Sequence, residues 1–484
     1  MLRREGAERD KMPVKVKEVD LTERPFFKKI VFYIIPLVLS GLLQCLYNAA
    51  DLVIVGRFRG PGALAAVGTT GSLTNLVLGL FMGLSVGAGV VVAHYIGALE
   101  YKKVSRVVHS AVALSVVLGV IMGVIGFIFS RTFLSWMGAS DSAEYNTLTQ
   151  ATLYLRIIFC GVPASFLYNY CASVLNATGE TKKPLFFLAV SGAVNLLLNV
   201  VLVAFLGMGV EGVAIGTIAA QYLSAALIII YMRRLDNCVR FSFRKLCFDM
   251  ESIKKMLVIG IPSGIQGTLF SLSNVLIQSS INGFGDWVMA GNAATSNLEG
   301  FVYVAMNSVS KASLNFAGQN MGAKKYKNIK LVLLQTTACA AVIGLASAGA
   351  ILLFKDFFVG LYVSSDGISA DAYEQSVNAA LTRMFYILPV YFLCGIMEAF
   401  CGVIRGMGKS TVTMIFSLVG ACALRMLWLE TVFKYLIPTP VGVYLSYPVS
   451  WCVVILLDVI YFVWYYRKLT KERVIDEYID RLKR

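Results

Sequence analysis

The stretch Ile35 to Arg57, IPLVLSGLLQCLYNAADLVIVGR, decides how the rest of the chain is read. It is apolar over a length that crosses a bilayer, for which about 20 residues suffice. Asp51 sits inside it. An ionisable side chain at membrane depth is costly enough to mark a candidate functional residue. The stretch also has a second copy, because Ile261-Pro262-Ser263-Gly264-Ile265-Gln266-Gly267 repeats its opening and Ile277 then stands where the first copy has Asp51. The sequence describes a duplication in which only one half keeps the acid.

Composition agrees with a membrane setting. Of 484 residues, 57% are hydrophobic and 15% charged, with a mean hydropathy of +0.72, whereas a soluble domain carries roughly 25% charged residues. Apolar spans are expected at about 30–55, 63–95, 105–130, 149–176, 183–206, 212–233, 255–281, 287–320, 329–354, 375–403, 410–434 and 441–466. No soluble-looking segment interrupts them, which predicts one membrane domain. Most of the ten cysteines fall inside these spans without CxxC spacing and read as small packing residues. Nothing suggests that the N-terminus is a removed signal.

The net charge of +15 lies almost wholly between the spans and at the termini. That distribution points to membrane orientation and away from nucleic-acid binding. Lys102-Lys103, Lys182-Lys183, Arg233 to Lys255, Lys324-Lys325-Lys327 and both tails fall on one face, which the positive-inside rule makes cytoplasmic. The expected organisation is a cytoplasmic tail (1–29), an N-terminal lobe (30–234), a cytoplasmic linker (235–254), a C-terminal lobe (255–466) and a cytoplasmic tail (467–484).

The duplication extends further. His94-Tyr95-Ile96-Gly97-Ala98 matches Gln319-Asn320-Met321-Gly322-Ala323, and Pro36 and Pro163 match Pro262 and Pro389. Six spans per half is an even number, so both copies enter the membrane in the same direction and are related by an axis along its normal. The expected fold is an all-α polytopic membrane protein of twelve transmembrane helices in two six-helix bundles, related by a pseudo-two-fold axis along the membrane normal. A cleft between two bundles is a transporter's architecture.

Within the first half, Gln44, Tyr47, Asn48 and Asp51 recur at helical spacing and form one polar face, expected to point into the lobe. Asn195 and Asn199 lie one turn apart on the fifth span, and Thr217 lies on the sixth. Span direction places Asn199 and Thr217 in the same membrane half as Asp51, with Asn195 near mid-membrane, so the four can converge. One carboxylate with amide and hydroxyl oxygens suits a hard cation such as sodium, or an acid that takes up a proton.

Several stretches together resemble the multidrug and toxic compound extrusion (MATE) family. They include Tyr47-Asn48 with Asp51 and Val55-Gly56, Ala63-Leu64-Ala65-Ala66-Val67-Gly68, Gly83-Leu84-Ser85-Val86-Gly87, Asn176-Ala177-Thr178-Gly179-Glu180-Thr181-Lys182-Lys183-Pro184 and Val403-Ile404-Arg405-Gly406-Met407-Gly408-Lys409-Ser410. The resemblance covers nearly the whole chain. It implies a two-lobed secondary antiporter, prokaryotic in type, that exports organic and often cationic compounds in exchange for protons or sodium. It also implies that Asp51, Asn195, Asn199 and Thr217 form the cation and proton site of the N-terminal lobe. Asn199 departs from the pattern, which has a second Asp there, and this favours proton coupling through Asp51 with sodium left open. C-terminal acids of another subgroup are missing, since Phe270 and Cys394 hold their positions, with Glu398 one turn beyond.

The expected substrate cavity takes in Gln44, Tyr47, Asn48, Asn274, Glu299, Lys311 and Glu398, with the two glutamates making it acidic for cations and Lys311 tempering that charge. Arg156, Arg383 and Arg425 read as structural partners of carbonyls or carboxylates. No cofactor is expected, and the partners are small organic substrates and the lipid bilayer. The setting is a plasma membrane, with the chain a monomer. The alternative within transport is a lipid-linked saccharide flippase, for which fourteen spans and a strongly cationic cavity are expected. A receptor or enzyme is disfavoured, because internal duplication is unlike a receptor and two histidines leave little for metal chemistry.

Overall fold

The computed structural model describes residues 20–137, 146–362 and 369–482, so the basic tail before residue 20 lies outside the described residues. Among the described residues the chain is helical, without a strand. In hydrocarbon every backbone N–H and C=O needs an internal partner, and a helix supplies them within one segment. Twelve long helices follow in order: α1 (Phe26–Gly60), α2 (61–97), α3 (Tyr101–Trp136), α4 (Thr147–Ala177), α5 (Lys182–Phe205), α6 (Val210–Arg234), α7 (Met250–Asn282), α8 (Asp286–Gly322), α9 (Tyr326–Leu353), α10 (Ala370–Gly406), α11 (Ser410–Leu436) and α12 (Pro440–Glu472).

Eleven helices are long and apolar enough to span by composition alone, with α8 outside that set. The reason is visible in its packing. Asn292, Thr295, Ser308, Ser310, Ser313, Asn315, Gln319 and Asn320 are all buried, so its polar atoms meet protein instead of lipid.

Sequence patterning expects a loop between α1 and α2, but a single residue breaks the helix. Gly60 has φ +81°, a left-handed conformation that glycine adopts without penalty. Pro163 lies inside α4, while its counterpart Pro389 sits in a tight turn, Leu388–Val390, within α10. The fifth helix of each half carries a widened π segment, Val200–Phe205 in α5 and Leu418–Ala423 in α11. The duplication thus extends to local backbone geometry.

Two large apolar cores hold the helices. The first joins α2 to α6 around Phe81, Leu155, Phe166 and Tyr170; the second joins α8 to α12 around Met306, Met384, Leu388 and Trp451. The first helix of each half starts in the other half's packing. Phe26, Ile30, Tyr33, Ile34 and Leu37 of α1 pack with Val309, Phe316, Val332 and Cys339 of α8 and α9. Ile253, Met256 and Ile259 of α7 belong to the first core.

Contacts between the halves concentrate at the end that carries the basic loops. His94 Nε2 lies 2.6 Å from the Gly406 carbonyl oxygen. Gln319 donates to the Ala177 carbonyl at 2.7 Å, and Asn315 of α8 donates to the Tyr33 hydroxyl of α1 at 2.8 Å. Glycine permits this approach, since a β-carbon at Gly83 would overlap the Gly264 backbone and one at Gly97 would overlap the Gln319 carbonyl. At Gly60, Gly68 and Gly71, toward the opposite end, an added β-carbon would meet nothing within 4 Å. The contacts between the halves hold the two bundles together at the basic face.

Candidate functional site

Three helices of the first half bring Asp51, Asn195, Asn199 and Thr217 together. Asp51 projects from α1 and is 6% exposed, while Asn199 on α5 is fully buried. Asn199 Nδ2 donates to Asp51 Oδ1 at 2.5 Å, and the Thr217 hydroxyl of α6 lies 3.3 Å from Asp51 Oδ2. With its amide turned over, Asn195 donates to Asp51 Oδ1 at 3.1 Å and accepts from the Thr217 N–H at 3.2 Å. The Thr217 hydroxyl also faces the Val213 carbonyl at 3.0 Å.

Local sequence explains the convergence. Asn195 and Asn199 are four residues apart on one face of α5, and the π segment begins directly after Asn199. Gly216 clears the space beside them, because a β-carbon there would overlap the Asn199 side-chain oxygen. That oxygen is buried without a hydrogen-bond partner. Among the described residues no Lys, Arg or His forms an ion pair with Asp51. The carboxyl is therefore met by neutral donors alone, and a proton or a hard cation would remove the cost of burying its charge.

The polar face of α1 is divided in the structure. Asp51 is buried and Tyr47 half-buried, its hydroxyl 3.3 Å from the Ala189 carbonyl. Gln44 and Asn48 are exposed, which leaves them accessible to a solute. α1 packs against the second half at its start and joins the first half's apolar core at Ile54 and Val55.

The second half corrects the expected acidic cavity. Glu299 is buried and bound to Arg383, which donates from Nε and Nη2 at 2.7 Å each and from Nη1 to Asn292 at 2.5 Å. The Arg383 guanidinium also lies over the Tyr444 and Tyr447 rings, 5.6 Å from each centroid. Its charge cancels that of Glu299, so this glutamate offers no free negative charge to a solute. Glu398 is also buried, at 2% exposure, and its Oε2 has no partner. Lys311 and Asn274 are exposed, and among the described residues Lys311 has no carboxylate partner. Arg425 donates to the Ser450 hydroxyl at 2.8 Å, and Arg156 lies over the Phe127 ring.

Sequence reasoning missed Asp458. It is a further buried carboxyl, fully buried on α12, where Cys401 Sγ lies 3.5 Å from Oδ2 and Oδ1 has no partner. Its signal was the one that singled out Asp51, a lone acid in an apolar run. Nearby, Gln266 of α7 donates to the Ser417 hydroxyl at 2.6 Å and accepts from Thr413 at 3.2 Å. Among the described residues no cluster of three His, Cys, Asp or Glu could hold a metal ion. Gly83-Leu84-Ser85-Val86-Gly87 does match the GxSxG nucleophile pattern. Ser85 lies mid-helix, though, with its hydroxyl donating to the Met82 carbonyl at 2.8 Å, so the site lacks the exposed strand-to-helix turn of a nucleophile elbow.

A duplicated bundle of twelve long helices, with a buried acid held by neutral donors where three of them meet, defines a multi-pass membrane transporter. The MatE family model matches residues 36–201 and again 262–428, once in each half, and the chain belongs to that family. Members of this family are transporters, not enzymes. The chain is 26% identical to "Probable multidrug resistance protein YoeA" of Bacillus subtilis, over 92% of this chain and 96% of that one. It is 22% identical to "Multidrug export protein MepA" of Staphylococcus aureus, over 84% and 87%. The crystal structure of a MATE protein in complex with MaL6 superposes with a TM-score of 0.86 at 21% identity, covering 94% of this chain and 99% of the other.

Proposed function

We propose that the chain is a secondary antiporter that exports organic compounds, cations among them, in exchange for protons, and that Asp51 carries the coupled proton. One observation supports the coupling role above others: a buried carboxyl joins three helices through neutral donors alone. The names of the relatives support drug efflux. The basic face is read as cytoplasmic, which puts the contacts between the halves on the cytoplasmic side, as in an outward-open arrangement.

The hydrogen bonds suggest how a proton acts. As a carboxylate, Asp51 accepts from Asn199 and from the Thr217 hydroxyl. Thr217 has one hydroxyl proton to share between Asp51 Oδ2 and the Val213 carbonyl. A proton on Oδ2 reverses that bond: Asp51 donates to Thr217, which donates to Val213. The same step removes the buried charge, so the preferred packing of α1 against α5 and α6 changes with it. A rocking motion of two bundles then follows from a shift between two packed states. Sodium is the competing ion, and the unpartnered Asn199 oxygen is an available ligand for it.

The test is efflux from proteoliposomes under imposed pH or sodium gradients, comparing wild type with Asp51→Asn. Efflux driven by the pH gradient is expected in wild type and lost in the variant, whose substrate binding persists. Gradient-driven efflux that survives the substitution would overturn the assignment. Efflux driven by sodium alone and lost in the variant would keep Asp51 and change the ion.

A further inference from the structure

The segment between α6 and α7 holds a cavity of about 490 Å³, lined by Arg233, Arg240, Phe241, Ser242, Phe243 and Arg244. The volume is within the roughly 300–1,000 Å³ of small-ligand sites. Three arginines line it, from two elements. Arg233 ends α6, while Arg240 and Arg244 belong to the connecting chain. Among the described residues neither Arg233 nor Arg244 forms an ion pair, and Arg240 has only Asp236 at 3.4 Å, with both side chains largely exposed. Three arginines lining one cavity with one weak counter-charge make a site short of an anion.

The cavity is held in shape from below. Phe241 is 1% exposed; its N–H donates to the Met232 carbonyl at 3.0 Å, and its ring stacks on His109 of α3 at 5.4 Å. The Ser242 N–H donates to His109 Nε2 at 3.1 Å, and the Asp249 N–H donates to the Ser110 hydroxyl at 3.0 Å. Arg233 lies over the Phe243 ring at 5.2 Å, which fixes its direction. A basic residue at the end of α6 would by itself offset the helix dipole. That role needs one arginine, and the positive-inside bias accounts for basic residues on this face without requiring Arg240 and Arg244 to line one cavity with Arg233.

The surroundings indicate which anion. Phe243, Leu246 and Phe248 of the same connecting chain and Met250 at the start of α7 are exposed, at 57%, 42%, 60% and 71%. The segment joins the ends of two membrane helices, so these side chains lie at interfacial depth, where apolar groups meet lipid and arginines meet headgroups. We infer that this cavity binds the phosphate headgroup of an anionic phospholipid, with the guanidiniums holding the phosphate in paired hydrogen bonds and the exposed apolar residues against the acyl chains. The lipid then ties the connection between the two halves to the membrane surface.

The test uses the full-length protein, delipidated in detergent and titrated separately with phosphatidylglycerol, phosphatidylcholine and inorganic phosphate, with bound lipid counted by native mass spectrometry. Saturable, salt-sensitive binding of phosphatidylglycerol is expected. Replacing Arg233, Arg240 and Arg244 with Gln should weaken it by about fivefold per residue, with phosphatidylcholine unaffected. Arg244→Gln alone, at an exposed position, serves if the triple variant folds poorly. Phe243→Ser should lower phospholipid binding and leave inorganic phosphate unchanged. Lys254→Gln, a basic change outside the cavity, should match wild type. Equal phosphatidylglycerol binding by wild type and Arg244→Gln would overturn the site, as would an equal loss in Lys254→Gln. Binding of inorganic phosphate as tight as that of the lipid would overturn the lipid assignment.

Discussion

Replacing Glu299 with Gln separates a structural acid from a substrate-binding one. The carboxylate receives two 2.7 Å hydrogen bonds from Arg383, at side-chain exposures of 8% and 3%. Removing one partner of such a pair leaves the other charge buried and uncompensated, which costs about 3–5 kcal/mol. For a bundle of this size that corresponds to a fall in Tm of the order of 5–15 °C. Arg383→Gln should cost a similar amount, because Glu299 is then left alone. The double variant should be more stable than either single one, with a coupling energy of about 2 kcal/mol or more. The assay is thermal unfolding of the purified full-length chain, with transport of one cationic and one neutral substrate measured in parallel. If Glu299→Gln keeps the wild-type Tm and selectively loses the cationic substrate, the pair is not structural and the charge cancellation argued above is wrong.

Other substitutions test the remaining geometry. Gly216→Ala pushes a β-carbon into the Asn199 amide and should cost about 1–3 kcal/mol, with proton-driven efflux lost; wild-type efflux would show that the amide contact is dispensable. Asp458→Asn should hold or raise Tm, since a neutral amide is cheaper to bury than a carboxylate with an orphaned oxygen, and a large fall would reveal a counter-ion that matters. Asp249 caps α7 by accepting from the Ser252 N–H at 3.1 Å and from the Ser252 hydroxyl. These bonds with Ser252 hold its carboxyl below the usual carboxylate range. A depressed folded value means the cap stabilises at neutral pH and is lost as pH falls through that value. Asp249→Ala should therefore cost about 1 kcal/mol at pH 7 and close to nothing in strong acid. A Tm difference independent of pH would refute it.

The helices were legible because hydrocarbon imposes length and apolarity on every span. The eighth, the most polar, is legible because the alternation of basic and non-basic loops fits twelve spans. The cluster around Asp51 was legible because Asn195 and Asn199 share a helical face and span direction set their depth. Glu299 and Arg383 escaped because they sit 84 positions apart on different helices, and an isolated acid reads the same whether its partner is a solute or an arginine. For Gln44 and Asn48, helical periodicity gives a face shared with Asp51, while the route of α1 between two cores decides how much of that face is exposed. Asp458 carried the same signal as Asp51 and lacked only a matching motif to draw attention to it.

The crossed start of α1 bears on how the protein is made. Phe26, Ile30, Tyr33, Ile34 and Leu37 are translated long before the side chains that cover them, which lie between Val309 and Ala399. Until those later helices are inserted, this face of α1 has only lipid for company. The nascent first half is a bundle whose leading helix is anchored at one end, and its assembly is complete only when the second half arrives. Separately expressed halves should accordingly need each other, during insertion, to gain protease resistance.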